Sequence, residues 1–330
     1  MPRQEWTKAQ LLQLSDGYWS ACALHAAVRL GVFTALADSL SDAAALAERC
    51  GADARALAML LDAVCALGLL DKDGDTFTNT AFAKKYLVRE SPDYTGHIIL
   101  HHHHLMPSWA RLHQAVLSGE PVRERVATDE EWRESFLMGM FNLAMDLAPK
   151  VVPLIDLAGR RRLLDLGGGP GTYAIHFCQH NPELMATIFD LPASRPFAQQ
   201  TIARFGLADR IDFQGGDFLT DEIPGRYDVA WLSHILHGES SERCRALVAK
   251  AAAALEPGGM LLIQEFVLDD AKDGPLFPAL FSLNMLLGTS GGQAYSEGEI
   301  REMLRAAGIR ELHRVPLANP RGVGIIGGIV

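Results

Sequence analysis

Apolar positions recur at three- and four-residue steps through most of residues 1–150, the spacing of one helical face. In Asp53–Gly68 the set Leu57, Leu60, Leu61, Val64 and Leu67 makes such a face. Gly68 is placed to end the helix, because glycine takes the left-handed cap conformation at little cost. The segment that follows, LLDKDGDTFTNT, has Asp73-Gly74 between two short β-prone runs and predicts a hairpin. Helix, helix and hairpin outline a winged helix. From Arg160 onward the pattern changes to short β-branched or aromatic runs: RRLLDLG, LMATIFD, DRIDFQG, YDVAWLS and GMLLIQEF. Helical segments such as Thr172–His180, Ala193–Phe205 and Ser240–Leu255 separate them, which predicts an α/β domain with βαβ units and a parallel sheet. RELHRVPL and RGVGIIGGIV, about Ala318-Asn319-Pro320, are spaced for a closing antiparallel hairpin. A long helix is expected from Glu130 to Leu157, with domains 1–155 and 156–330.

Composition narrows the function. The chain has 30 Lys plus Arg against 40 Asp plus Glu, a net charge of −10, which counts against the basic face a nucleic-acid binder needs. The winged-helix region itself is no more basic: DARALAMLLDAVCALG carries one Arg and is mostly apolar, so no nucleic-acid partner is expected. Its alanine- and leucine-rich surface points to a subunit interface instead. Cys22, Cys50, Cys65, Cys178 and Cys244 include no CxxC pair and read as reduced thiols of a cytoplasmic protein. No apolar run is long enough for a membrane span, and MPRQEWTKAQ lacks the apolar stretch of a secretory signal.

The chemistry starts at Asp165-Leu-Gly-Gly-Gly-Pro-Gly171, which follows the first strand of the α/β region and opens a helix. Glycines at 167, 169 and 171 allow a tight turn and a close approach of ligand to backbone. Such a loop serves nicotinamide, flavin and S-adenosylmethionine sites alike. The next two strands narrow the choice. One ends in Asp190, where a carboxylate can accept two ribose hydroxyls. The other ends in Gly215-Gly216-Asp217-Phe218, offering a carboxylate to an adenine amino group and an aromatic edge beside the base. All converge on the crevice at the carboxyl ends of the strands, although each aspartate could also be a plain turn or cap residue.

LLDLGGGPG, FDLP, GGDF, HILHGESSERC, LEPGG and LLIQE, together with FNLAM in the helical half, resemble the class I S-adenosylmethionine-dependent methyltransferases. Within that class the chain is similar to the dimeric O-methyltransferases related to caffeate and acetylserotonin methyltransferases. The resemblance implies a seven-stranded Rossmann-like sheet with a C-terminal antiparallel hairpin, and a helical winged-helix domain that forms a homodimer. It implies S-adenosylmethionine as cofactor, held by Asp165, Gly167, Gly169, Asp190, Leu191, Asp217, Phe218 and Ser233. The family's catalytic histidine falls on His237 and its orienting carboxylate on Glu265. Histidine suits the role of base toward a hydroxyl acceptor at neutral pH. Met145 and Met285, with the adjoining Asn284, match positions that line the small-molecule acceptor pocket, and His104 lies before the related MPSW stretch.

Three positions depart from the pattern. An acidic residue usually follows the histidine, where this chain has Gly238. A second glutamate is replaced by Ala294, and a lysine near the cofactor by Ser233. General-base help contributes roughly 10²–10⁴-fold, whereas positioning contributes about 7–11 kcal/mol. An acceptor that is already nucleophilic could dispense with much of the base, so S- or N-methylation stays open, as does a non-catalytic cofactor-binding role. A nicotinamide-dependent oxidoreductase is the remaining alternative. His101–His104 are four consecutive histidines of which His101 and His104, with His97, would share a helix face. No carboxylate or cysteine accompanies them, and no metal site is expected.

Overall fold

The computed structural model describes residues 5–37, 39–123, 130–319 and 321–330. It forms two compact units, Met1–His104 with Glu130–Asn142 and Leu105–Asp129 with Leu143–Val330.

The first unit opens with α1 (Lys8–Asp16), α2 (Tyr18–Arg29) and α3 (Val32–Ala35). There follow β1 (Ser41–Asp42), α4 (Ala43–Cys50), α5 (Ala54–Ala66), β2 (Leu70–Asp73), β3 (Thr76–Asn79) and α6 (Ala81–Leu87). Asp42 and Asp53 start α4 and α5 by accepting hydrogen bonds from the backbone N–H of Ala45 and Ala56, each at 2.8 Å. The apolar stripe of α5 places Leu57, Leu61 and Val64 in one core with Phe33, Leu36, Leu46 and Phe77. Gly68, at φ 76°, turns the chain out of that helix. The expected hairpin forms between β2 and β3, and β1 adds to the other edge of β3, completing the winged-helix outline. In contrast, α1 buries none of its residues.

The division between the units falls within α7 (Gly96–Trp109) and α9 (Glu130–Val151), with α8 (Leu112–Ser118) between them in the chain. The long helix ends at Val151 rather than Leu157. A 3₁₀ turn, Val152–Leu154, replaces its last part because Pro153 has no N–H to continue the helical ladder.

In the second unit the strands are β4 (Arg162–Leu166), β5 (Met185–Asp190), β6 (Ile211–Gly215), β7 (Tyr227–Ser233) and β8 (Leu255–Phe266). They are interleaved with α10 (Thr172–His180), α11 (Arg195–Arg204) and α12 (Ser241–Ala253). The chain then runs through α13 (Leu276–Gly288), α14 (Glu297–Ala306), β9 (Arg310–Arg314) and β10 (Val323–Ile329). The seven-stranded sheet has the order β6-β5-β4-β7-β8-β10-β9. The first five are parallel, and β10 is antiparallel to both its neighbours. Alternating residues serve opposite faces. Leu163, Ile188, Val229 and Trp231 pack with α10 and α11, while Leu164, Phe189, Ala230 and Leu232 pack with α12 and α14. The closing hairpin is present, but β9 is shorter than expected, since Pro316 cannot donate to a ladder. Pro320, in its turn, lies outside the described residues.

This order puts β4 between β5 and β7, so the connections leave β4 on opposite sides. The crevice of such a sheet opens at the carboxyl ends of these strands, where the glycine loop, Asp190, Ser233 and Glu265 lie.

Candidate active site

The glycine loop leaves β4 with the backbone in the left-handed region at Gly167 (φ 68°), Gly169 (φ 52°) and Gly171 (φ 80°). Gly167 donates its N–H to Phe189 O at 2.8 Å, tying the loop to β5. A β-carbon on Gly167 would stand 2.6 Å from Ile235 and 3.3 Å from the Phe218 ring. The loop, the turn after β6 and the turn after β7 therefore meet at one point.

Asp190 ends β5 and accepts from Gly169 N–H at Oδ2 (2.7 Å) and from Leu191 N–H (2.6 Å) and Ser194 Oγ (3.0 Å) at Oδ1. Burial raises its pKa, and those donors work against the rise. Leu191, the next residue, is half exposed. Asp217 accepts from Leu219 N–H at 2.9 Å, so it is a turn-forming residue whatever else it does. Asp165 lies behind the loop, almost wholly buried. One oxygen accepts from Ala174 N–H at 3.2 Å, the other has no hydrogen-bond partner, and burial pushes the carboxyl up to about 7. Ser233 Oγ accepts from Gln264 Nε2 (3.1 Å), which also donates to Tyr173 OH (2.6 Å). This buried polar link beneath the crevice joins α10, β7 and β8, and no motif in the sequence announces it.

The second group of residues gathers around Glu265 near the end of β8. Its side chain is 2% exposed. Oε1 accepts from the backbone N–H of Leu236 (2.9 Å) and His237 (3.2 Å), and Oε2 accepts from Nδ1–H of His237 at 2.8 Å. Burial alone would raise the pKa of this carboxyl, but His237 and then His234 more than offset that and hold it well below the usual range. An ionised carboxylate only accepts, so the hydrogen on neutral His237 is at Nδ1 and the lone pair is at Nε2. His237 lies in a 3₁₀ turn, Leu236–Gly238, that follows β7. His234, at φ 56°, begins the reversal into that turn, and its N–H donates to Gln264 O at 2.8 Å.

Aromatic rings surround the two imidazoles. Phe281 stands edge-on to His237 with centroids 4.7 Å apart, Phe266 lies 4.4 Å from His234, and Phe277 and Phe281 both contact Phe266. Phe277 and Phe281 are spaced i, i+4 on α13, a signal present in LFPALFSLN but indistinguishable from a core stripe. Asn284 and Met285, one turn further along the same helix, are buried. Asn284 Oδ1 accepts from Arg123 at 2.7 Å. Met145 instead packs its sulfur 3.4 Å from His176 Nε2 on α10, and His104, in the first unit, places Nδ1 3.1 Å from Ser135 Oγ. Gly238 opens on a cavity of about 450 Å³ lined also by Arg123, Glu239, Ser240, Arg243 and Thr289. At the other departure, Ala294 is buried and its N–H donates to Ser282 Oγ at 2.9 Å.

Comparison with known proteins supplies the family. The pattern of the O-methyltransferase domain matches residues 109–310, and that of the O-methyltransferase dimerisation domain matches residues 12–89. The chain belongs to the O-methyltransferase family.

It is 37% identical over 326 residues to 3-hydroxy-5-methyl-1-naphthoate 3-O-methyltransferase of Streptomyces sahachiroi, covering 97% of this chain and 94% of that one. It is 32% identical to the N,N-dimethyltransferase OxyT of Streptomyces rimosus, covering 91% and 90%. The structure of human N-acetylserotonin methyltransferase in complex with S-adenosylmethionine superposes with a TM-score of 0.86 at 28% identity, covering 100% of this chain and 99% of that one. This O-methyltransferase is thus a small-molecule methyltransferase that uses S-adenosylmethionine, and the oxidoreductase alternative falls away. The cradle at the crevice fits that cofactor: glycines 167, 169 and 171 let the loop take its left-handed turns, and a carboxylate at the end of β5 faces the loop.

Proposed function

We propose that this O-methyltransferase methylates a hydroxyl oxygen of a small aromatic molecule, with His237 as general base and Glu265 as its orienting carboxylate. The observation that carries the reading is the 2.8 Å hydrogen bond from His237 Nδ1 to a carboxylate whose other oxygen is fixed by two backbone donors. That arrangement leaves Nε2 free of hydrogen and able to take the acceptor's proton. S-adenosylmethionine, when bound, would supply an electrophilic methyl group to the acceptor oxygen, with the electron pair of the broken carbon–sulfur bond left on sulfur. Gly167 and Gly169 would admit the cofactor to the backbone, and Asp190 and Leu191 would hold its ribose side. Asp217 and Phe218 would hold the adenine, with Asp165 and Ser233 completing the cradle. Phe281, Asn284 and Met285 on α13 would line the acceptor side, joined by Met145. An aromatic acceptor suits the rings of Phe266, Phe277 and Phe281.

We further assign residues 12–89 to a homodimer interface in a cytoplasmic enzyme. All five cysteines are free thiols, and among the described residues no helix is long and apolar enough to cross a membrane. The net charge of −10 argues against a nucleic-acid partner. Gly238 and Ala294 favour a second reading, an amine or thiol acceptor methylated chiefly by positioning. Steady-state kinetics on a panel of phenols, amines and thiols, read as S-adenosylhomocysteine formed, separates the two. Under the first reading His237→Asn lowers kcat on a phenol by about 10²–10⁴-fold and leaves S-adenosylhomocysteine binding intact. A phenol turnover unmoved by that substitution rejects His237 as the base.

A further inference from the structure

We propose that His234, His237 and Glu265 form a binding site for a divalent cation of the zinc class, and that the ion inhibits methyl transfer by seizing the nitrogen through which Glu265 orients His237. The inhibitory half rests on the reading of His237 as base; the site itself does not.

Ligand atoms of the three residues all lie within 4.8 Å of one another. Both imidazoles turn Nδ1 toward the same carboxylate oxygen: His237 Nδ1 is 2.8 Å and His234 Nδ1 is 3.5 Å from Glu265 Oε2. In a tetrahedral zinc site with bonds of about 2.0–2.1 Å, neighbouring donor atoms stand roughly 3.3–3.4 Å apart. The two separations from Glu265 Oε2 bracket that value, and with all three ligand atoms inside 4.8 Å an ion is seated by drawing the imidazoles together around it.

A second observation points the same way. His234 Nδ1 is buried and lacks a well-formed hydrogen bond: its polar neighbour, 3.5 Å away, is the Glu265 oxygen that His237 already holds at 2.8 Å. The residue is also held in the left-handed region at φ 56°, a conformation costly for a side chain of this size and common where a site constrains the backbone. Glu265 is already fixed as a ligand needs to be, with Oε1 engaged by Leu236 and His237 N–H groups and Oε2 aimed at the imidazoles. Phe266 and Phe281 pack on the two rings and limit their rotation. Two imidazoles and one carboxylate suit zinc, cobalt or nickel rather than magnesium or calcium.

The consequence for His237 follows from counting hydrogens. A neutral imidazole carries one N–H. When the ion takes the lone pair of Nδ1, the hydrogen leaves that nitrogen and one is taken up at Nε2, with no net proton released and no change of oxidation state. Nε2 then has no lone pair for the acceptor's proton. The sequence hides this site because its ligands are His-x-x-His across a 3₁₀ turn and a glutamate on the next strand.

Cobalt(II) titration of the full chain, read by visible ligand-field absorption, tests the site without reference to activity. The expected result is one saturable band per chain that zinc displaces. His234→Asn should weaken binding more than about 100-fold, since losing a ligand costs more than losing a supporting contact. Asparagine tolerates the left-handed backbone, and S-adenosylhomocysteine binding by this variant reports that it is folded. In parallel, zinc should inhibit the parent enzyme reversibly by chelation, and His234→Asn should be resistant relative to its own uninhibited rate. Absence of a band, or a band unchanged in His234→Asn and hence arising elsewhere, such as His101–His104, overturns the site. Binding without inhibition supports the site and overturns the inhibitory mechanism.

Discussion

Ile235 occupies the space that any side chain on Gly167 would need, with its Cγ2 2.6 Å from the position of a β-carbon there. The turn after β7 thus sets the clearance of the loop after β4, and the two halves of the crevice are shaped together. Gly167→Ala meets both this contact and a backbone at φ 68°. Together they should cost on the order of 2–4 kcal/mol, read as a fall in urea midpoint, and weaken S-adenosylhomocysteine binding in calorimetry. Ile235→Ala added to Gly167→Ala should restore part of the loss, by more than about 0.5 kcal/mol, because the two sites share one contact.

Asp165 makes the unliganded protein less stable as pH rises. Burial pushes its carboxyl up to about 7 from an ordinary 3.8, so between those values the unfolded chain releases a proton that the folded chain keeps. The contribution of Asp165 to stability therefore declines from about pH 4 to about pH 7 and then levels off. Asp165→Asn cannot ionise and keeps an acceptor for Ala174 N–H. Urea unfolding should find it equal to the parent near pH 4 and more stable at pH 8, by an amount on the order of 3–4 kcal/mol. A parent advantage that grows with pH would contradict the assignment.

Gly238→Asp should fold normally. A β-carbon there meets no atom within 4 Å, and the position borders a cavity of about 450 Å³ containing Arg243. Thermal unfolding should place the variant within about 0.5 kcal/mol of the parent. With a phenol acceptor kcat should rise, as an added carboxylate steadies the imidazolium formed at His237. With an amine acceptor it should stay level.

The first two helices predict association. Leu11, Leu12 and Leu14 on α1 and Tyr18 and Trp19 on α2 are each more than half exposed. Burying a leucine of this kind contributes roughly 1.5–3 kcal/mol, so an apolar strip this long calls for a covering surface. Sedimentation velocity should find a dimer of the 36.0 kDa chain. Leu11→Glu with Leu14→Glu should shift it to the monomer, and a dimer that survives both would place the interface elsewhere.

Much of the fold and part of the site are legible in the residues themselves. The periodicity of Asp53–Gly68 and the runs from RRLLDLG to GMLLIQEF locate their helix and strands, because one-sided burial and alternating burial leave unlike traces. Asp190 and the glycine loop can be paired from strand-end positions, and the structure joins them at 2.7 Å. What stays hidden depends on chain separation. Nothing in YDVAWLSHILH says that two imidazoles will share one carboxylate from a strand 28 residues on, and nothing in LLIQE says that Gln264 will reach Tyr173 across the sheet. Phe277 and Phe281 carry the pattern of any buried helix stripe. The end of α9 differs from expectation for a local reason, the missing N–H of Pro153, which is visible in the sequence but outweighed by the apolar repeat around it.

The position of β10 has a bearing on how the molecule is made. It is laid down between β8 and β9, and β9 touches no other strand of the sheet. As the chain leaves the ribosome, β9 must wait unpaired until residues 323–329 arrive, while β8 keeps a bare margin on the same side. Assembly of this unit is thus completed by insertion rather than by addition at a border, and any truncation that removes those residues undoes two pairings at once.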